Sequence, residues 1–316
     1  MQGGLNMFFS AAFKAKARAA LRQHWQTALL IALIVNLPSL LVQGISAFTK
    51  NDVTARLEDL VLQASGSAAA MNALPESVRS MLSESGIVTM LILSAVAWLI
   101  TPVLSVGMSH WTLERLRGQV LPVSAVFSRL RIFLKSIGLR LLIVLKVLLW
   151  MLPGLAVFLF SVIPLLRANP GSTAELSSAA DISFHLMSAG MIAMIVLGVM
   201  GYLYYAMAEF ILADEPEERV LSCARRSKML MKGRRGVLMS LWLSFLLWYL
   251  MILMGSSMVA GIAGSVIALV LEMLGTLFLS VYILASEGVF YEALRLAPAP
   301  EIPAETPTDD SQDIEP

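Results

Sequence analysis

The sequence has few of the residues from which catalytic and metal sites are built. Its 316 residues include one cysteine, Cys223, and three histidines, which lie far apart at His24, His110 and His185. One cysteine excludes an intramolecular disulfide framework, and isolated histidines lack the spacing of zinc ligands. Charged residues make up 14% of the chain and sum to a net charge of +1, which gives no electrostatic reason to expect a nucleic-acid partner. We therefore expect no metal, no cofactor and no nucleic acid.

Motifs of soluble enzymes are also missing. The chain contains no HExxH, no GxSxG and no GxxxxGK[ST] pattern. A hydrolase or a nucleotide-driven pump normally carries a soluble catalytic domain, and this sequence has no stretch of that composition. We therefore expect a protein without enzymatic activity.

Long apolar stretches are what the sequence has in excess. Hydrophobic residues make up 58% of the chain, against about 45–50% in soluble domains, and the mean hydropathy is +0.77. A helix crosses the hydrocarbon core of a bilayer with about 20 apolar residues. Six segments reach or approach that length: 25–42, 87–108, 141–166, 184–213, 237–254 and 261–285. The sequence predicts an all-α polytopic helical bundle in one integral membrane domain, 1–296, followed by a disordered, acidic, proline-rich tail, 297–316.

Lysine and arginine residues alternate from one side of these spans to the other. They cluster before the first span, between the second and third, and between the fourth and fifth, and they are sparse in the other loops. Basic loops stay in the cytoplasm, so both termini are expected there.

Amphipathic stretches lie outside the spans. Residues 5–22 are either an interfacial helix on an anionic leaflet or a continuation of the first span. In the first outer loop, 44–86, two short helices are expected, the first capped by Asp52.

The inner loop 214–235 has the pattern of a structured helix. Asp214 is predicted as its N-cap, with Pro216 in its first turn, and Gly233 is predicted as its C-terminal cap. Its basic residues are candidates for contact with anionic lipid headgroups, or alternatively with a protein partner: Arg225, Arg226, Lys228, Lys232, Arg234 and Arg235.

Several short motifs resemble one bacterial family of multi-pass membrane proteins. They are YAMAEFILADEP at 205–216, RSKMLMKG at 226–233 and LSFLLW at 243–248, with weaker support from AKA at 15–17, HW at 24–25, WMLPG at 150–154 and FYEAL at 290–294. The family is the domain-of-unknown-function 975 family. The sequence departs from its pattern by an insertion at 155–204 and by a longer first outer loop.

The resemblance implies a fold of six or a similar number of spans. It also implies a fold related in style to that of the membrane domain attached to some glycerophosphodiester phosphodiesterases. It implies a location in a bacterial cell (inner) membrane, and it implies no activity.

Charged residues inside the spans are the candidate functional residues, because charge in a membrane is costly. Glu272 lies near the middle of the sixth span, on a small, polar face that includes Ala268 and Gly275. It is either a carboxyl that couples protons or cations, or one that hydrogen-bonds to a neighbouring helix. Glu209 lies one turn inside the cytoplasmic end of the fourth span. Lys146, in the third span, either pairs with Glu209 or extends its side chain to the interface. Arg140, at the start of that span, is expected at the interface.

Three functions remain open at this point. The first is a membrane scaffold or regulatory partner, which binds lipids and a membrane protein or a second copy of itself. The second is a small secondary transporter or channel that uses Glu272 and Glu209, and the third is a membrane enzyme that acts on lipid. A transporter requires a polar cavity that reaches Glu272 and is formed by more than one helix. A dry, tightly packed face around Glu272 favours the scaffold.

Overall fold

The described part of the chain is helical throughout. The structure, a computed structural model, describes residues 2–42, 85–167 and 173–296, and no strand occurs in these ranges. Its elements are α1 (Gln2–Leu21), α2 (Trp25–Val42), α3 (Ser85–Leu116), a 3₁₀ helix (Val123–Ile132), α4 (Phe133–Phe160), α5 (Ile163–Arg167), α6 (Thr173–Tyr205), α7 (Ala208–Asp214), α8 (Val220–Leu230), α9 (Arg235–Ala263) and α10 (Ser265–Leu296). The predicted all-α class is confirmed. The short helices predicted within 52–82 and the acidic tail 297–316 lie outside the described residues.

Six of the described helical segments are long and apolar enough to cross a membrane, with mean hydropathies of 1.8 to 2.4. Large apolar side chains on them point away from the bundle. Leu247 is 65% exposed and Ile262 is 86% exposed. Such extensive apolar exposure is unfavourable in water and favourable in lipid, so the chain is a multi-pass membrane protein.

Helices α4 and α6 pack closely through glycines. A Cβ atom on Gly154 would lie 2.5 Å from the backbone nitrogen of Met194, and one on Gly190 would lie 2.6 Å from that of Phe158. Small residues at such crossings let two helix backbones approach. Helix α4 continues through Pro153, so the Pro-Gly pair serves this close contact and does not end the helix.

Helix α1 is separate from α2 and packs against the bundle. A turn at residues 22–24 divides the two helices, so α1 does not continue the first span. The ring of Phe13 meets Phe290 of α10 edge to face, with centroids 5.6 Å apart. Lys14 Nζ donates a hydrogen bond of 3.4 Å to the Ser244 carbonyl of α9. Burial lowers the pKa of the Lys14 ammonium.

One end of the bundle carries most of the described basic residues. At this end, called the basic end below, α3, α7 and α10 finish and α2, α4 and α9 begin. Helix α7 is the most enclosed element there: Ala208, Phe210, Ile211, Leu212 and Ala213 are all buried. The core of the bundle is therefore built around a short helix.

Candidate functional site

Glu272 lies on the wall of a cavity lined by both polar and apolar side chains. The cavity has a volume of about 380 Å³, and its walls come from α2, α9 and α10. It is lined by Asn36, Ser39, Leu40, Tyr249, Leu269, Glu272, Met273, Thr276, Leu277 and Ser280. Ser256 Oγ donates a hydrogen bond of 3.4 Å to Glu272 Oε2.

The small face around Glu272 is packed only in part. Ala268 is buried, and a Cβ atom on Gly275 would lie 3.0 Å from the Ile252 side chain of α9. A Cβ atom on Gly261 would meet nothing within 4 Å. The carboxyl of Glu272 therefore faces a cavity, while residues on the same helix hold α9 and α10 together.

Glu209 lies in the first turn of α7 and is half-buried. Its Oε1 accepts hydrogen bonds from two hydroxyls of α3, Ser105 and Ser109, the second at 3.5 Å. Serines 105 and 109 are four residues apart and so share one face of α3. The described residues show no ion pair between Lys146 and Glu209, and the Lys146 Nζ lies 5.8 Å from the centre of the Tyr205 ring.

The basic residue near Glu209 is Arg140, which the sequence places at the interface. Arg140 and Glu209 both line a small cavity between α3, α4 and α7. The charges of Arg140, Glu209 and Glu287 all act on the Tyr202 phenol of α6. The side chain of Arg140 thus points into the bundle. A sequence pattern alone does not predict this orientation.

Glu287 is a polar group that the sequence reading missed. It lies two residues beyond the predicted end of the sixth span, whereas α10 continues to Leu296. Trp242 Nε1 of α9 donates a hydrogen bond of 2.6 Å to Glu287 Oε1. Its electrostatic neighbours include Glu209. The apolar residues that follow Glu287 were the available signal that the helix extends further.

The predicted fourth span is interrupted. Helix α6 ends at Tyr205 and α7 begins at Ala208. Ser227 of α8 lies at this break: the Met207 backbone N–H donates to Ser227 Oγ at 3.2 Å, and that hydroxyl donates to the Tyr204 carbonyl at 3.0 Å. Ser227 thus satisfies backbone groups that the break removes from the helix ladder.

Asp214 does not cap the inner-loop helix as predicted. That helix, α8, begins at Val220, with Arg219 at its N-cap position. Asp214 Oδ1 instead accepts a hydrogen bond of 2.8 Å from Arg117. Its Oδ2 accepts from Tyr291 at 3.3 Å and from Arg295 at 3.2 Å. The carboxylate therefore joins the ends of α3, α7 and α10.

Arg117 completes this network at the basic end. Its guanidinium also contacts Glu114 at 3.1 Å and Glu292 at 2.6 Å. Hydrogen bonds to Asp214 and Glu292 raise the pKa of Arg117 above its usual range. Three acidic partners thus surround one cation.

A comparison with protein families now identifies the chain. A family model described as a protein of unknown function (DUF975) matches residues 7–297. The chain belongs to the DUF975 family. No curated protein and no solved structure matches it.

The motifs that carry the resemblance to the DUF975 family meet in space. Residues 205–216 contain the break, Glu209 and Asp214, and residues 226–233 contain Ser227, which closes the break. These two segments therefore build the centre of the basic end. In this DUF975 chain the described residues of segment 155–204 form the end of α4, the short α5 and nearly all of α6.

The basic candidates of the inner loop divide into two groups. Arg225, Lys228 and Lys232 are exposed. The others are partly buried: Arg226 contacts Glu215 at 2.5 Å, and Arg235 stacks on the Tyr204 ring with 4.1 Å between its guanidinium carbon and the ring centre. Arg234 is also partly buried, at the N-cap position of α9.

The ion pair between Arg226 and Glu215 affects the protonation of the carboxyl. The Arg226 guanidinium lowers the pKa of the Glu215 carboxyl.

Gly233 has a φ of +76°, in the turn between α8 and α9, three residues beyond the end of α8 at Leu230. The predicted glycine turn is thus present, slightly later than a C-terminal cap.

Proposed function

We propose that this membrane protein is a non-enzymatic transporter or channel for a small cation, which binds in the Glu272 cavity. The observation that carries this proposal is the lining of the cavity, in which Glu272 is the single charged residue among those described. The volume of about 380 Å³ lies in the range of small-molecule sites, roughly 300–1,000 Å³. An organic ammonium ion of a few carbon atoms matches both the size and the charge.

The hydrogen bonds of the lining residues support a cationic ligand. The Asn36 amide donates to the Ala32 carbonyl at 2.8 Å, and the hydroxyls of Thr276 and Ser280 donate to backbone carbonyls of α10 at 2.8 Å. With these donors engaged, the side-chain oxygens of Asn36, Thr276 and Ser280 keep lone pairs that can face a cation, although the second Asn36 N–H and the Ser39 hydroxyl remain as donors. The aromatic side chain of Tyr249, on the α9 wall of the cavity, is suited to a cation–π contact with such a ligand.

The orientation in the membrane is part of the proposal. The basic end carries the residues that the positive-inside rule retains in the cytoplasm, so both termini would face the cytoplasm of a bacterial inner membrane. The Glu272 cavity would then lie in the half of the bundle away from the cytoplasm.

Binding to the purified full chain tests the proposal. Tetramethylammonium is titrated against the protein in maltoside detergent by calorimetry, for the wild type, Glu272→Gln and the control Glu217→Gln, which removes an exposed acid at the basic end. We expect Glu272→Gln to weaken binding about tenfold or more, equivalent to about 1.4 kcal/mol, and the control to leave it unchanged. Uptake of labelled methylammonium into proteoliposomes should likewise be lower for Glu272→Gln than for the wild type, and unchanged for Glu217→Gln.

Two results would overturn the transporter proposal. One is equal binding by the wild type and Glu272→Gln. The other is a folded wild type that neither binds nor transports these ions, in which case the interpretation as a scaffold for lipids and a protein partner is favoured.

We also propose that the exposed basic residues of α8 and the following turn contact anionic lipid headgroups. The opposite face of α8 is buried through Cys223, Ala224 and Ser227, so Arg225 and Lys228 point away from the bundle. Attraction of this kind weakens with salt. Replacing Arg225, Lys228 and Lys232 together by glutamine should reduce retention of phosphatidylglycerol, measured by native mass spectrometry. Retention that is unchanged in the triple variant would contradict it.

A further inference from the structure

A second cavity lies on the other side of α2 from Glu272. Its volume is about 360 Å³, and α2, α3 and α4 form its walls. It is lined by Ser39, Val42, Ser94, Ala97, Trp98, Thr101, Pro102 and Arg140. Ser39 also lines the Glu272 cavity, so this one residue lies between the two.

The charge of this second cavity is opposite to that of the first. Arg140 is the single charged residue among its described lining residues. No described carboxylate forms an ion pair with Arg140. Glu209, its acidic neighbour in the small adjoining cavity, interacts with the charge of Arg140 and accepts hydrogen bonds from Ser105 and Ser109. Arg140 also donates a hydrogen bond to the Tyr202 hydroxyl, and a guanidinium has further N–H groups that can reach a ligand. A guanidinium between apolar helices is costly unless an anion offsets its charge.

The polar groups of the cavity include hydroxyls that can donate hydrogen bonds. Among the described residues, the hydroxyls of Ser39 and Ser94 have no hydrogen-bond partner, so both can donate to a ligand. Thr101 differs, because its hydroxyl donates to the Ala97 carbonyl at 2.7 Å. A guanidinium with nearby hydroxyls is a common set of donors for carboxylate and phosphate oxygens.

From this lining we infer that the Arg140 cavity binds an oxyanion, a phosphate or carboxylate group, carried by a soluble solute or by a lipid headgroup. This site and the cation site proposed at Glu272 have separate charged residues and share only Ser39 among the described lining residues, so the two proposals can be tested separately. The chain would thus hold binding sites of opposite charge on the two sides of α2.

Calorimetry on the full chain in maltoside detergent, which contains no phosphate, tests the inference. Inorganic phosphate and acetate are the soluble probes, and phosphatidylglycerol added to the micelles is the lipid probe. The variants are Arg140→Gln, the exposed control Arg131→Gln, which makes the same charge change, and Glu272→Gln. We expect at least one probe to bind, Arg140→Gln to weaken it tenfold or more, and the two other variants to change it less than twofold.

The two kinds of probe identify the source of the oxyanion. Binding of phosphate or acetate alone assigns a soluble solute, and binding of phosphatidylglycerol alone assigns a lipid. Equal affinity in Arg140→Gln, or a folded wild type that binds none of the probes, overturns the inference. The transporter proposal is judged separately by tetramethylammonium binding.

A second variant covers the case in which Arg140→Gln does not fold. Arg140→Lys keeps the positive charge and loses the planar, two-pronged donor geometry that suits an oxyanion. We expect severalfold weaker binding in Arg140→Lys and in Ser94→Ala. Unchanged affinity in both would overturn the inference.

Discussion

The Ser227 hydroxyl accepts a hydrogen bond of 3.2 Å from the backbone N–H of Met207, where the fourth apolar segment changes from α6 to α7. The same hydroxyl donates to the Tyr204 carbonyl. A residue of the inner loop thus replaces bonds that an unbroken helix would make for itself. Helix α8 is therefore a structural part of the bundle, and this contact fixes which way its basic face points.

Replacing Ser227 by alanine should destabilise the protein. The change leaves the Met207 N–H and the Tyr204 carbonyl buried without partners, at a cost of about 1–3 kcal/mol. Thermal unfolding in detergent measures the effect. The control is Ser222→Ala on the same helix, whose hydroxyl contacts the Glu218 side chain and no backbone group of the break. A Ser227→Ala protein as stable as this control would contradict the assigned role.

Replacing Asp214 by asparagine should cost more stability than the matched change at Glu215. The Asp214 side chain is 11% exposed and binds two arginines, whereas the Glu215 side chain is 47% exposed and binds one. We expect a loss of about 3 kcal/mol for Asp214→Asn and under about 1 kcal/mol for Glu215→Gln. Comparing the two melting curves checks this. Equal losses would show that the network at the basic end adds nothing beyond a surface pair.

Replacing Gly154 by alanine should separate α4 from α6. The added Cβ would meet the Met194 backbone at 2.5 Å, and such overpacking costs about 1–3 kcal/mol. Gly255→Ala is the control, since nothing lies within 4 Å of a Cβ there and alanine is the better helix former by up to about 1 kcal/mol. The melting temperature should fall in the first variant and hold or rise in the second. A fall in both would indicate a general intolerance of methyl groups.

Cys223 should react slowly with alkylating reagents in the folded protein. Its side chain is fully buried on α8, and burial raises the pKa of the thiol to about 11. Because the thiolate is the reactive form, labelling by iodoacetamide at pH 7.5 should be slow and should become fast when the chain unfolds. As this is the single cysteine of the chain, mass spectrometry gives the labelled fraction directly.

The same raised pKa predicts how stability changes at alkaline pH. The unfolded chain releases the thiol proton at its ordinary pKa, near 8.5, while the folded chain keeps it up to about pH 11. The contribution of Cys223 is therefore fully present below about pH 8.5 and is lost as pH rises towards 11. A Cys223→Ala variant should lose less stability over this interval. An identical pH dependence in the variant would contradict the prediction.

The apolar spans could be predicted because each depends on its own residues. About 20 apolar residues make a crossing wherever they occur, and the stretch Trp25–Val42 coincides with the first predicted span. The break between α6 and α7 could not be predicted in this way. Ala206 and Met207 are good helix formers, and the break depends on Ser227, which is distant in sequence.

The candidate site shows the same division. Glu272 was found because a carboxyl in the middle of an apolar run is visible in the sequence, but its cavity needs walls from α2 and α9. Glu287 was missed because its partner is an indole on another helix, Trp242. Arg140 was placed at the interface because position along a helix does not tell whether a long side chain turns inward.

The ion pairs at the basic end also constrain when the protein can be completed. Arg117 and its partner Glu292 are 175 residues apart in the chain. During synthesis the ion pair between Arg117 and Glu292 can therefore form only after almost every later helix has been inserted. In a nascent chain that ends before α10, the ends of α3 and α7 would lack their contacts with α10. The bundle would then be incomplete at its basic end, and exposed to the quality-control proteases of the cell, until the last helix is inserted.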